Sequence, residues 1–336
     1  MPCKLFRRTA VLMAIAGLSA TSIGSNAQQS SKKSAPGAAW PTKTVKLLVG
    51  FPGGSSPDLV ARAMAEPLSK ALGQPVIVEN HPGAGGNIAA DLVAKSTDNH
   101  TIGIMINGNL TIAKLLNPKT PFDPAKDLAP ISLIGTAPLV LAAPANAPGN
   151  NPQEFLVAAR NAANKWNYGT PGNGTVGHIG MEYLKVRTQM DPVHIPYPGN
   201  PQVITAMLSG QINLSLLPPG LAMPQIRAGK LKAIGVTSVS RSPLVPELPS
   251  LSEAGVQNFQ LEIWTAAAGP ASMPPSVVAK LSSLFSEIAR GPEMRQKLFT
   301  QGWQVAGTSA EGLANRIKSD TRLLGGVIEM RGIKVE

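Results

Sequence analysis

VKLLVGFPGGSSPDLVARAMAEPLSKALGQPVIVENHPGAGGNIAADLVAK (residues 45–95) passes twice through the same order of strand, glycine-rich turn and helix. Val45-Lys46-Leu47-Leu48-Val49 is a short apolar run that breaks at Phe51-Pro52-Gly53-Gly54. Across 58–72, Leu59, Val60, Ala63, Met64 and Leu68 recur at helical spacing, with Pro67 as a local conflict, until Gly73 stops the pattern. Val76-Ile77-Val78 is a second strand, Gly83-Ala84-Gly85-Gly86 opens a helix over 87–95, and 101–106 is a third strand. Near-continuous apolar strands alternating with helices predict an α/β fold, a mostly parallel sheet with helices on its faces.

The alternation continues downstream. Helices are expected over 109–116, 151–164, 175–184, 201–209 and 223–228, with one or two strands in 131–143. Strand-like runs fall at 166–168, 193–195, 212–217 and 231–237. A return strand starts at Ile263, followed by helices over 275–288, 292–301 and 309–329, the last interrupted at Gly325-Gly326. This order predicts a first lobe over 41–140, a second over 141–262, and a return to the first over 263–336. A ligand would then lie between two sheets joined by hinge strands.

The first 27 residues have a different character. Lys4, Arg7 and Arg8 precede an apolar stretch from Thr9 to Leu18, and Ser25-Asn26-Ala27 offers a cleavage site, which predicts a signal peptide followed by a flexible leader over 28–40. Cys3 is the only cysteine and falls in that segment, so the chain beyond it has no thiol for a disulfide, a metal or a nucleophile. The formal charge of +11 becomes +8 without Lys4, Arg7 and Arg8, and the remaining basic residues are scattered. Nucleic-acid binding, which needs a concentrated basic stripe, is not expected.

Chemistry-bearing motifs are few. There is no GxSxG elbow, no phosphate-loop lysine motif and no HExxH pair among His81, His100, His178 and His194, so neither an enzyme, a metal nor a cofactor is expected. Gly172 to Gly177 matches GxGxxG in form, but Asp191 precedes the next strand rather than closing it, which argues against a dinucleotide. What recurs is a small-residue turn ahead of a helix: Gly53-Gly54-Ser55-Ser56, Gly83-Ala84-Gly85-Gly86-Asn87 and Gly172-Asn173-Gly174-Thr175. Glycine admits close approach to backbone amides, and unpaired N–H groups at a helix start receive a carboxylate or phosphate. His178, one turn into the third such helix, is a candidate pocket residue; Asp58 is read as structural. Tyr197-Pro198 and Leu217-Pro218 supply candidate apolar walls with one hydroxyl.

At these loops the chain resembles the substrate-binding proteins of tripartite tricarboxylate transporters, the Bug or TctC-like receptors. The resemblance runs from Trp40 to the C-terminus and rests on WPTKTVKLLVGFPGGSSPDLVAR (40–62), LGQPVIVENHPGAGGNIAADLVAK (72–95), NYGTPGNGTVGHIGMEYLK (167–185) and AGKLKAIGVTSVSRSPLVPELPSLSEAG (228–255). It implies a periplasmic receptor, monomeric, built as two α/β lobes of the type II periplasmic-binding-protein kind. It also implies a carboxylate anion held by Gly53 to Ser56, Gly85 to Asn87, Asn107 to Asn109, and Asn173 to Thr175, and delivery to one large and one small integral membrane subunit. The same cleft would equally serve a carboxylate sensor feeding a two-component system.

The sequence departs from the family pattern in two informative places. Ser55 stands where a glycine is common, and Leu216-Leu217-Pro218 lacks an acid often found after that strand. The second change disfavours an amino-acid ligand and favours an amine-free mono-, di- or tricarboxylate.

Overall fold

A computed structural model describes residues 40–333. The expected signal peptide, Cys3 and the leader before Trp40 lie outside the described residues. Lobe 1 opens with β1 (Val45–Val49), α1 (Ser56–Leu72), β2 (Val76–Asn80), α2 (Asn87–Ala94) and β3 (Thr101–Ile106). Three short helices, α3 (Asn107–Thr111), α4 (Ala113–Leu116) and α5 (Pro124–Asp127), lead into the long strand β4 (Leu128–Pro138). The two-residue period of a strand decides which helix covers which face. Val45, Leu47 and Val49 pack with Val60, Met64 and Leu68 of α1 in one core cluster, whereas Leu48 packs with Ala89, Ala90 and Val93 of α2 in another.

Lobe 2 contains β5 (Val140–Pro144), α6 (Pro152–Ala162), β6 (Asn167–Thr170), α7 (Val176–Thr188) and β7 (Val193–Pro196). It continues with α8 (Asn200–Leu208), β8 (Ser215–Leu217), α9 (Pro219–Arg227) and β9 (Leu231–Val236). The chain then returns through β10 (Glu262–Pro270), α10 (Pro275–Arg290), α11 (Pro292–Thr300), β11 (Gln304–Val305) and α12 (Ala310–Arg331).

The large sheet has the order β11-β4-β10-β3-β1-β2, with β1 parallel to β2 and β3, and β10 antiparallel to β3 and β4. The second lobe holds the sheet β8-β5-β9 and the parallel pair β6-β7, linked by a bridge between Tyr168 and Leu214. Two α/β lobes with mixed sheets result; the mostly parallel sheet expected from the alternation is confined to β1, β2 and β3 and to the pair β6-β7, because β10 and β5 pair antiparallel with their neighbours.

Two local expectations are corrected. The single helix over 109–116 is two helices broken at Ile112, which sits at φ −118° and ψ −1°. Thr111 and Ile112 are β-branched and poor in helices, and the Thr111 hydroxyl turns back to the Asn107 carbonyl at 2.6 Å. Gly325-Gly326 does not interrupt α12, whereas α1 runs through Pro67 to Leu72 and ends at Gly73 as expected. In both helices burial outweighs propensity: Met64 and Leu68 flank the proline, and Leu324, Val327 and Ile328 clamp the glycine pair to the core.

The chain crosses between lobes at Leu139, between β4 and β5, and at Leu261, before β10, and the side chain of Thr237, just after β9, joins both crossings. The Thr237 hydroxyl accepts the Leu139 amide at 2.8 Å and donates to the Leu261 carbonyl at 2.6 Å. Main-chain bonds from Thr237 N to Leu139 O and from Leu261 N to Thr237 O reinforce it. Nothing in the sequence pattern singles out Thr237. Trp264, fully buried on β10, donates its indole N–H to Asp320 of α12 at 2.6 Å, a core role.

Candidate ligand-binding site

Strand direction collects the turns. Because β1, β2 and β3 run parallel, the segments after them, 50–56, 81–87 and 107–109, emerge at one edge of the large sheet. The parallel pair β6-β7 and the Tyr168–Leu214 bridge do the same in lobe 2 for 171–175, 197–200 and Pro218. Ligand crevices of α/β sheets lie outside these carboxyl ends. Here the two sets of turns touch: the Asn173 carbonyl lies against Gly85, the Gly174 carbonyl against Gly108, and the Pro52 ring against Gly199. Gly85 adopts φ +62°, and a Cβ there or on Gly108 would strike the opposing carbonyl.

The same turns line a cavity of about 540 Å³, a size common for small-molecule sites. Lobe 1 contributes Gly83, Ala84, Gly85, Asn87 and Asn109, then Ala113, Leu116, Asn117, Lys119, Thr120 and Pro121; lobe 2 contributes 171–174 and 196–198. Asn109 ties two turns together. Its amide nitrogen donates to the Gly85 carbonyl at 2.9 Å and to Asn87 Oδ1 at 2.8 Å, while its oxygen accepts the Ile106 amide at 3.3 Å.

Of the residues singled out in the sequence, Gly85, Asn87, Asn109, Asn173, Gly174 and Tyr197 line this cavity. Gly53 and Gly54 are exposed at the tip of the first turn. Ser55 and Ser56 are buried at the start of α1, and the Ser55 hydroxyl has no hydrogen-bond partner although it occupies the N-cap. Gly86 is packed under the Phe51 ring and Asn109. Asn107 faces a different cavity, with Glu262 and Arg316; its Nδ2 donates to the Glu262 carbonyl at 3.0 Å. Pro218 caps α9, and the adjoining Gly220 lies against the Gln301 carbonyl of lobe 1. Thr175 caps α7 by accepting the His178 amide.

His178 is turned into lobe 2. Its ring stacks on His194 at 4.2 Å between centroids, His194 stacks on Tyr168 at 4.8 Å, and His178 Nδ1 accepts the Gly174 amide at 3.3 Å. Burial holds the His178 imidazolium unfavourable, and Lys185 acts the same way against the opposing pull of Glu182. For His194, burial and then the neighbouring His178 bring the pKa down to about 3. The stack is therefore neutral at physiological pH and anchors the turn that carries Asn173 and Gly174.

Asp58 likewise shapes its turn. The buried carboxylate accepts the Gly54 amide at 2.9 Å, Arg62 Nε at 3.0 Å and Asn80 Nδ2 at 2.8 Å. Burial pushes this acid up, but the Arg62, Gly54 and Asn80 bonds together hold it below its ordinary range.

The cavity lining is chemically lopsided. Neither Asp nor Glu lines it, and Lys119 is its one charged residue. No cluster of three or more His, Cys, Asp or Glu among the described residues is placed to hold a metal ion, and no helix among them is long and apolar enough to cross a membrane. Sequence reasoning missed Asn117, Lys119 and Thr120 because they sit in a turn of irregular backbone, where no periodicity reveals which side chains face inward.

The sequence matches the model of the tripartite tricarboxylate transporter family receptor over residues 60–333. The chain belongs to this family. Its members are solute receptors, so this one is a binding protein rather than an enzyme. A protein of Pseudomonas sp. (strain P51), encoded in the tcbD-tcbE intergenic region, is 32% identical over 285 residues, covering 84% of each chain. Among solved structures, MatC of Rhodopseudomonas palustris with bound malate is 30% identical with a TM-score of 0.82, covering 86% of this chain and 100% of that one. Rpa4515 of R. palustris with adipate is 27% identical with a TM-score of 0.85, covering 88% of this receptor and 99% of that protein.

Proposed function

We propose that this receptor captures a small, amine-free organic carboxylate between its lobes in the periplasm, after export through its N-terminal signal peptide. It then delivers the anion to the large and small integral membrane subunits of a tripartite transporter. The observation that carries this reading is the cavity between the glycine turns, which offers amides, asparagines and one lysine but no acid. Backbone N–H groups and neutral amides stabilise a carboxylate without a counter-charge, whereas a ligand ammonium there would lose its water and gain no anionic partner. The bound malate and adipate of the two similar structures are acids of this class. The lobes close about the two crossings at Leu139 and Leu261, which Thr237 joins, the hinge mode common to two-lobed receptors.

Thermal melting of the refolded mature protein with succinate or with aspartate tests the amine-free reading, since the two acids differ only by the ammonium. Succinate at saturating concentration is expected to raise the melting temperature more than aspartate. A larger shift with aspartate would overturn the choice of ligand class.

A further inference from the structure

We propose that a second cavity, lined by α7 and α12, is a binding site for an organic ammonium with an apolar or aromatic body, separate from the carboxylate site. The cavity has a volume of about 560 Å³. Asn107, Arg316 and Leu323 of lobe 1 line it together with Tyr183 and Phe259 of lobe 2, and Glu262 joins them just after the Leu261 crossing. Tyr183 lies about 12 Å along α7 from the Thr175 cap, so the two cavities use different stretches of that helix.

The charge of this cavity is opposite to that of the carboxylate site. Glu262 and Asp320 against Arg316 leave one negative charge in excess, where the first cavity has Lys119 and no acid. Both Asp320 oxygens are taken, one by Arg316 Nε at 2.9 Å and the other by the Trp264 indole at 2.6 Å. Arg316 reaches only Oε2 of Glu262, at 2.9 Å, and Oε1 has no hydrogen bond among the described residues. Asn107 adds an independent observation. It is 1% exposed, its Nδ2 is committed to the Glu262 carbonyl, and its Oδ1 has no hydrogen-bond partner. A buried acceptor left in that state is costly, and an N–H donor entering the cavity relieves the cost. An ammonium brings three donors and a positive charge, so it satisfies the amide oxygen and the open carboxylate oxygen together, whereas a carboxylate satisfies neither.

The rest of the wall calls for an apolar body. The Tyr183 and Phe259 rings stack at 5.2 Å between centroids, and the Tyr183 hydroxyl donates to the Asn258 carbonyl at 3.0 Å, which holds the pair in place. Leu323 and Val239 line the same cavity and are 58% and 61% exposed, large apolar side chains that folding leaves uncovered. Covering them removes apolar surface from water, and the faces of the two rings attract a cation.

The test compares phenethylammonium with phenethyl alcohol, which has the same body without the charge. Both are titrated calorimetrically into the mature protein and into E262Q, and amide NMR shifts map the ammonium on the unmodified protein. The ammonium should bind about ten-fold or more tightly than the alcohol. Its shifts should centre on 183, 257–262 and 316–324 rather than on 83–87 and 172–174. E262Q should remove most of the preference while changing alcohol affinity by less than about two-fold. Equal melting temperatures show that the carboxylate charge, rather than the fold, is being read; if E262Q does not fold, the shift map and the alcohol comparison on the unmodified protein decide. Equal affinity for the two probes, an unchanged preference in folded E262Q, shifts centred on the glycine turns, or no binding of the ammonium overturns the proposal. None of these outcomes bears on carboxylate capture between the glycine turns.

Discussion

Asn109 uses its whole side-chain amide inside lobe 1, holding Gly85, Asn87 and the end of β3 in one arrangement. It is 2% exposed, so its loss leaves buried groups without partners rather than returning them to water. Asn109→Ala is therefore expected to destabilise the protein by roughly 1–3 kcal/mol, read in urea unfolding, and to weaken carboxylate binding through the second turn. The histidine stack makes a separate prediction. His178 and His194 both have folded pKa values below the ordinary 6.5, so the unfolded chain binds protons that the native chain refuses. Their contribution is complete above pH ~6.5 and is lost as pH falls from there toward the folded value, about 3 for His194. Asp98, held at about 2 by the bonds from His100, Ser96, Thr101 and Lys43 against the opposing effect of burial, is lost only at lower pH. Melting temperatures should thus begin to fall between pH ~6.5 and ~4.5. His194→Gln should flatten that first phase and leave the steeper acid loss in place.

Among the elements, α12 shows where local preference and packing disagree. Gly325 and Gly326 sit in its interior with helical backbone; an added Cβ on Gly326 would meet open space, and on Gly325 only Leu115 Cδ1 at 3.5 Å. Gly326→Ala should therefore stabilise the receptor by about 0.5–1 kcal/mol, seen as a raised thermal midpoint with unchanged ligand affinity. The same disagreement marks what the sequence could and could not disclose. The strand, turn and helix alternation was legible because Val45, Leu47 and Val49 on one face of β1 and Leu48 on the other leave a near-continuous apolar run, and glycines punctuate it. The turns were legible as turns for the same reason. Which side chain of each turn lines the cavity was not, because that depends on long-range neighbours. Thr175 is taken up in capping α7, His178 in a stack with His194 from another strand, and Asn107 in a bond to the returning β10. Lys119 carries no local signal at all.

On the scale of the whole molecule, the receptor is two lobes whose carboxyl-end turns meet backbone to backbone, with the two crossings between them joined by Thr237. Gly108 shows how close that meeting is. It lies within α3, where alanine would be the better helix former, yet its added Cβ would strike the Gly174 carbonyl of lobe 2. Gly108→Ala is expected to leave the melting temperature of the unliganded protein within a few degrees of its starting value. Its carboxylate affinity should nevertheless drop about ten-fold or more, because closing the lobes then requires one turn to move.

The most direct measurement is calorimetric titration of the mature, refolded protein with succinate, adipate, citrate, an aromatic acid and aspartate. Refolding removes any ligand carried through purification. The account predicts saturable binding of one anion per chain for at least one amine-free acid, with aspartate weaker than succinate and no acid consumed. A demonstrably folded protein that binds none of them would contradict it.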